Sequence, residues 1–273
     1  YVSLLFDKTL LKKYNPANIE PLVNTYDSIV KIQFNMMGIY KHNIKFSNTL
    51  FALGHNMGGL YAGGLGMHFD YSWGEANYVS VNGVLNGDIW GVAHEIGHIN
   101  QARPSLKWAG MTEVSNNIFS TYTEYTMGVN KGLNGRLERE SADPTSPGGG
   151  EDVGTNKIVG GRIKGFMNRT IVGGANHMNN NVFGRVLPIW QLQLYYQFAG
   201  ALRGAPTLQQ RVSGVALAPA AGVVDYAHFL GDVSQLQRIR NDASASHETL
   251  MLNFVKDVCD VTKEDLTDFF IKT

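Results

Sequence analysis

The chain has 273 residues, 44% of them apolar, with 23 Lys plus Arg balanced by 23 Asp plus Glu. That much apolar material excludes disorder as the main state. A net charge of zero, with no run of five like charges, argues against nucleic acid or an anionic membrane as the principal partner. The single cysteine, Cys259, rules out an intrachain disulfide and a Cys-rich zinc site, and its apolar helical surroundings (Phe254, Val255, Val258) read as core. No run of 18 apolar residues is present, so no transmembrane segment is expected. No signal peptide is visible, and a start at Tyr1 rather than Met reads as a chain trimmed or cut from something longer.

In chain order, residues 1–45 read as mainly helical. After Asn15-Pro16, the apolar residues Ile19, Leu22, Val23, Tyr26, Ile29, Val30 and Phe34 recur at helical spacing. Residues 48–83 read as short strands and turns. Phe51-Ala52-Leu53 and Leu60-Tyr61-Ala62 flank Gly58-Gly59 in a hairpin-type pattern, and Tyr78-Val79-Ser80-Val81 alternates like a strand. Residues 88–101 and 112–127 predict two helices. Glycine then crowds residues 128–184, which read as long loops, a wall of a substrate cleft being the functional alternative to plain loop. Residues 186–203 and about 225–271 predict helices again, with Thr262-Lys263-Glu264-Asp265 as a cap opening the last one. A helix, a small strand-rich part and then helices give an α+β expectation. Neither a G-x-G-x-x-G between strand and helix nor a P-loop is present.

The chemistry concentrates in His94-Glu95-Ile96-Gly97-His98, an HExxH motif. With Asp88 as N-cap, Ile89, Val92, Ile96 and Ile99 form one apolar stripe, and His94 and His98 fall on the opposite side one turn apart. Both imidazoles can then reach one ion, with Glu95 beside it rather than on it. A catalytic zinc site wants a third protein ligand. Pro104 stands where an HExxHxxGxxH pattern needs another histidine. The next helix offers Glu113 instead, provided the connection around Pro104 returns it against the first. Asn117, on the same face as Glu113, or else Asn116, is placed to hold a histidine's second nitrogen or the ligand carboxylate. Gly91 and Gly97 each cost roughly 1 kcal/mol against Ala inside a helix, a cost that close approach of a second helix or of substrate would offset.

Gly91-Val-Ala-His-Glu-Ile-Gly-His98, followed by Thr112-Glu-Val-Ser-Asn-Asn-Ile-Phe119, resembles the enhancin-like zinc metallopeptidases, gluzincin-type enzymes related to viral enhancins and bacterial mucin-degrading peptidases. Leu60-Tyr-Ala-Gly63, Leu187-Pro-Ile-Trp-Gln-Leu192 and Asp265-Leu-Thr-Asp-Phe-Phe270 extend the likeness more weakly. The resemblance implies a zincin-like (gluzincin) fold and one catalytic region over 1–273. Within it, about 1–127 would be the strand and helix part carrying the metal helices, and about 128–273 the glycine-rich loops and helical part. It implies Zn2+ on His94, His98 and Glu113, with Glu95 as base and acid. It further implies a secreted or cell-surface enzyme that cleaves glycoproteins such as mucins, with carbohydrate-binding domains flanking it in the parent chain.

For the oxyanion that peptide hydrolysis generates, Tyr196, His177 and Arg185 are candidates. Trp73 could stack on a sugar ring, and the edge of the strand expected at Tyr78–Val81 could pair with an extended substrate. Two other readings compete. A zincin scaffold that only binds glycan or protein would have no need of Glu95 as a base. An aminopeptidase-like gluzincin would want a G-x-M-E-N-type segment, which is missing.

Overall fold

The computed structural model describes residues 1–46, 50–56, 58–64, 66–101, 106, 108–128, 166–176, 182–198, 226–242 and 244–273. Most of the glycine-rich segment, His177 and Pro104 lie outside the described residues. The strands are β1 (Val2–Leu5), β2 (Leu50–His55), β3 (Leu60–Gly63) and β4 (Gly66–Asp70). The helices are α1 (Lys8–Tyr14), α2 (Glu20–Met36), α3 (Glu75–Val79), α4 (Ile89–Asn100), α5 (Thr112–Met127), α6 (Val182–Leu192), α7 (Phe229–Arg240), α8 (His247–Thr262) and α9 (Thr267–Lys272). Among the described residues, four strands form one sheet in the order β1-β2-β4-β3 and the other elements are helical, an α+β arrangement with its sheet in the N-terminal part.

Three local expectations are corrected. The first residues are not helical: Val2–Leu5 is a strand running parallel to β2, with Val2 opposite Leu50 and Leu5 opposite Leu53. Four residues carry too little pattern to reveal a partner nearly fifty positions away. Next, β2 does not form a hairpin with β3. It pairs in parallel with β4, and the hairpin is β3–β4, turning through Gly64 at φ 60°. The turn at Gly58-Gly59 exists, but it is wrapped onto Asp70, whose carboxylate accepts from the Gly58 N–H and whose own N–H donates to the Gly59 carbonyl at 2.9 Å. Third, Tyr78 and Val79 are helical. They end α3, with Tyr78 2% exposed and Val79 fully buried, and a wide helical turn over Gly83–Gly87 follows. An apolar pair buried by tertiary packing fits a helix end as well as a strand, so alternation over four residues could not decide between them.

The rest of the framework follows the sequence pattern. Leu22, Tyr26, Ile29, Val30 and Phe34 of α2 are all buried. They share the core with Ala52, Met67 and Phe69 from the sheet and with Val92 and Ile96 of α4. Gln33, fully buried on α2, donates to the Ala93 carbonyl at 2.8 Å and accepts from Asn100 Nδ2 at 2.8 Å, tying α2 to both halves of α4. The expected cap at Thr262–Asp265 is split between two helices. Lys263 ends α8 in the left-handed region at φ 59°, and the Asp265 carboxylate accepts from the Thr267 N–H at 3.0 Å where α9 begins. Further along the helical part, Arg240 of α7 grips the buried carboxylate of Asp257 on α8 with both guanidinium nitrogens.

The two glycines of α4 have different reasons. A Cβ at Gly97 would sit 3.0 Å from the Phe119 Cβ and 3.3 Å from the Asn116 carbonyl of α5. That is the close helix approach expected from the sequence, and it sets how near α5 stands to the histidines. A Cβ at Gly91 would instead meet the Asp88 carboxylate at 2.4 Å. Gly91 therefore makes room for the helix cap rather than for a second helix.

Candidate metal centre

Helix α4 starts where Asp88 accepts from the Gly91 N–H at 3.0 Å. The Tyr78 hydroxyl donates to the same carboxylate at 2.9 Å, which anchors the cap from α3. From that start, Val92 and Ile96 go fully into the core, while His94 and His98 remain partly exposed on the other side. Their rings lie edge to face with centroids 4.9 Å apart.

Helix α5 brings Glu113 to them. Its Oε2 lies 3.2 Å from His94 Nε2 and 3.3 Å from His98 Nε2. Ligand atoms of the three side chains all fall within 4.8 Å of one another, the one such cluster of three metal-binding side chains among the described residues. The two nitrogen-to-oxygen separations match the edge of a tetrahedron, about 3.3 Å, whose centre is about 2.0–2.1 Å from each ligand. Two imidazoles and one carboxylate are also the donor set of a catalytic zinc site with a position left for solvent. The residues fit a divalent metal.

The state of His94 agrees. Asn117 Nδ2 donates to the Glu113 carbonyl at 2.8 Å, so its Oδ1 faces His94 Nδ1, 2.7 Å away, as an acceptor. The ring proton is thereby placed on Nδ1 and the Nε2 lone pair faces the cluster. Burial holds the His94 pKa below the ordinary imidazole value, against the Asn117 bond that raises it, which favours the neutral ligand form. Replacing Asn117 with Ala removes the acceptor that orients the ring. Its zinc affinity is expected to fall about 10–100-fold in a chelator competition, and an unchanged affinity would remove Asn117 from this role.

Glu95 is 6% exposed and accepts from the Ala62 backbone N–H of β3. Burial first, then the nearby charges of Glu113 and Asp88, push its pKa up to about 7. A cation on the three ligands would act in the opposite sense. A cleft of about 760 Å3 opens over this group. Leu60–Gly63 of β3 and Gly64 of the following turn form one wall, and His94, Glu95, His98 and Glu113 line the rest together with Ile99, Gln101 and Thr112. β3 is the sheet's outer strand, so the edge that lines the cleft is Leu60–Gly63 and not the segment at Tyr78–Val81.

Three other candidates, Tyr196, Arg185 and Trp73, are not among the residues that line the cleft. Tyr196 is 1% exposed and its hydroxyl donates to Glu264 at 2.8 Å. Arg185 donates to the Gly110 carbonyl at 3.0 Å, bracing the residues just before α5. Trp73 is 61% exposed, on a short turn outside the cleft lining. His177 lies outside the described residues.

Two contributions were not singled out from the sequence. The backbone of β3 reaches Glu95 through Ala62, and no side-chain pattern announces a backbone donor. Gln101 donates from Nε2 to the Thr112 carbonyl and to Ser115 Oγ, both at 2.7 Å, locking the end of α4 to the start of α5. Its spacing, three residues after His98, was a visible but unweighted signal.

The family described as Peptidase M60, enhancin and enhancin-like, matches residues 2–273, and the chain belongs to that family. No curated protein matches it. Among solved structures, a metallopeptidase from Bacteroides thetaiotaomicron is similar over 98% of this chain and 39% of its own, at 24% identity and a TM-score of 0.66. A metallopeptidase in complex with Tn antigen is similar over 99% of this chain and 43% of its own, at 23% identity and a TM-score of 0.68. The M60 catalytic region of Clostridium perfringens ZmpB, solved with its CBM32-1 and CBM32-2 domains, covers 92% of this chain and 21% of that one, at 17% identity and a TM-score of 0.51. The chain thus spans about two fifths of the length of the first two, and these likenesses establish the fold.

Proposed function

We propose that this enhancin-like chain is a zinc-dependent endopeptidase of gluzincin type that hydrolyses peptide bonds in glycosylated proteins such as mucins. The observation that carries the reading is the convergence of His94, His98 and Glu113 in an open cleft, with the buried carboxylate of Glu95 beside them. His94, His98 and Glu113 would hold the ion. When bound, zinc supplies Lewis acidity to a water and to the scissile carbonyl.

The chain's own residues supply the rest. Glu95 takes a proton from the attacking water and returns it to the leaving amine nitrogen. Burial and the charges around it keep its carboxylate basic enough for the first transfer. The outer edge of β3 lies along the cleft, where an extended peptide can add as a further strand through the backbone groups not already taken by Glu95. Asn117 keeps His94 in the tautomer the ion requires, and Gln101 holds the two helices that carry the ligands together.

The glycoprotein part of the reading draws support from relatives: one similar metallopeptidase was solved with Tn antigen, and ZmpB carries CBM32 domains next to its M60 region. On the same grounds, residues 1–273 are a catalytic region whose parent acts outside the cell or at its surface beside carbohydrate-binding domains. Among the described residues, no helix is long and apolar enough to cross a membrane.

The test is a matched pair of peptides of one sequence, with and without a mucin-type O-glycan, incubated with the zinc-loaded chain and read by mass spectrometry. Internal cleavage of the glycosylated peptide, with the bare peptide left intact, is the expected result. Tight binding of the glycopeptide without turnover would favour a pure binding module. Stepwise loss of residues from a free N-terminus, but not a blocked one, would favour an aminopeptidase.

A further inference from the structure

The sheet edge that faces the cleft carries an aromatic ring whose two sides meet different surroundings. Tyr61 belongs to β3, lines the cleft and is 43% exposed. Across the sheet it pairs with His68 of β4. The two rings are parallel, with centroids 4.6 Å apart. Neighbouring strands lie about 4.7–4.9 Å apart. The match means that the rings stack along the direction in which strands are added. His68 covers one side of the Tyr61 ring, and the other side is directed off the sheet edge toward the cleft. The stack is braced from behind: Phe51 of β2 meets the His68 ring edge to face at 5.6 Å, and the His55 ring lies 5.7 Å from Tyr61 and 5.8 Å from His68.

The backbone at this point suits an added chain. Bonded and non-bonded pairs alternate along an antiparallel ladder. The Asp70 N–H donates to the Gly59 carbonyl at 2.9 Å, so the Tyr61–His68 pair, two residues on, is bonded as well. The backbone groups of Leu60 and Ala62 then point outward, and the Ala62 N–H that Glu95 accepts agrees with this. Leu60 and the Ala62 carbonyl are left for an incoming peptide. Such a peptide continues the pleat, so its residue level with Tyr61 projects onto the same side of the sheet. One more strand spacing brings that side chain about 4.7–4.9 Å from the Tyr61 ring, inside the roughly 4.5–7 Å at which aromatic rings attract.

We propose that Tyr61 is a specificity-determining residue, and that the outward side of its ring is a subsite for an aromatic side chain on the substrate residue that pairs level with it. The inference rests on the endopeptidase reading of the cleft and on nothing about the glycan. A ring bound there extends the His68–Tyr61 stack by one member and takes the exposed side of Tyr61 out of water. An alanine leaves that side wet. An aspartate sets a negative charge against the negative face of the ring.

The experiment gives the zinc-loaded chain O-glycosylated peptides of one sequence, in which each position around the cleaved bond carries Phe, Ala or Asp in turn. One position should prefer Phe over Ala by about 2- to 10-fold in kcat/KM, through KM rather than kcat, with Asp poorest. In Tyr61→Ala that ratio should fall to about 1 while preferences at the other positions stay. Tyr61→Phe should keep it, because the ring and not the hydroxyl is used.

No aromatic preference at any position would overturn the proposal, as would a Phe preference that survives Tyr61→Ala. A Tyr61→Ala variant slowed equally on every peptide would also overturn it, since that is the mark of a structural role. So would a variant that keeps the Phe ratio but no longer distinguishes glycosylated from bare peptide, which would assign the ring to a sugar. A wild type that cleaves none of the peptides would sink the endopeptidase reading instead. Fluorescence anisotropy of the labelled Phe and Ala peptides would still decide the subsite: tighter binding of the Phe peptide by wild type, lost in Tyr61→Ala, upholds it, and equal binding overturns it.

Discussion

Glu95→Gln is expected to lower kcat/KM by about 10^2 to 10^4-fold while leaving bound zinc at one ion per chain, the range expected for removing a general base from a positioned site. Glutamine keeps the shape and can still face the Ala62 N–H, but it cannot take a proton from water. The metal donors are on other residues, so zinc content separates loss of the base from loss of the site. A variant retaining wild-type turnover would exclude Glu95 from the reaction.

The same substitution carries a stability signature in the metal-free chain. Glu95 has a folded pKa of about 7 against an ordinary value of 4.5. The folded state therefore binds its proton more tightly than the unfolded state. Stability contributed by the protonated form is full below pH 4.5 and is lost as pH rises to about 7. Relative to Glu95→Gln, which does not titrate, the wild type should lose roughly 3 kcal/mol across that window. Denaturant melts of both proteins at several pH values measure it, and parallel curves would show that burial does not raise this carboxyl.

What could be read from the chain depended on how local each signal was. The two helices that carry His94, His98 and Glu113 were legible because most cues lie within one element. Asp88 caps α4, the apolar stripe orients it, and the i, i+4 histidines follow. Glu113 required only that α5 fold back, and Gly97 was the trace of that contact. The sheet was less legible because its pairings are long-range: β1 meets β2 across more than forty residues, and β2 pairs with β4 past its nearest neighbour. Tyr196 lies away from the cleft lining for a related reason. A tyrosine on a helix after a loop-rich stretch has no local mark saying whether it meets solvent or, as here, the Glu264 carboxylate in the interior. Asn116 and Asn117 look alike in sequence, and only the rotation of α5 sends one to His94 Nδ1 and the other to the two Nε2 atoms.

Glu113→Gln is expected to weaken zinc binding by about 10^2 to 10^3-fold with little change in the metal-free fold. Structural zinc sites bind with roughly 10–16 kcal/mol shared over four ligands, so one ligand accounts for about 2.5–4 kcal/mol. A neutral amide oxygen recovers little of what an ionised carboxylate gives to a dication. The metal-free protein should be nearly indifferent, because the Glu113 side chain is 58% exposed and its contacts to the histidines are made at the surface of the cleft. The measurement is the rise in unfolding free energy on adding a fixed excess of zinc. Ligand binding stabilises by RT ln(1 + [L]/Kd), so the increment should shrink by about 2.5–4 kcal/mol, while the melt without zinc stays within about 0.5 kcal/mol of wild type. An undiminished zinc increment would mean that the third ligand comes from elsewhere. The wild-type proximity of Glu113 to both imidazoles would then be an ordinary polar contact at the rim of the cleft, worth about 1 kcal/mol or less.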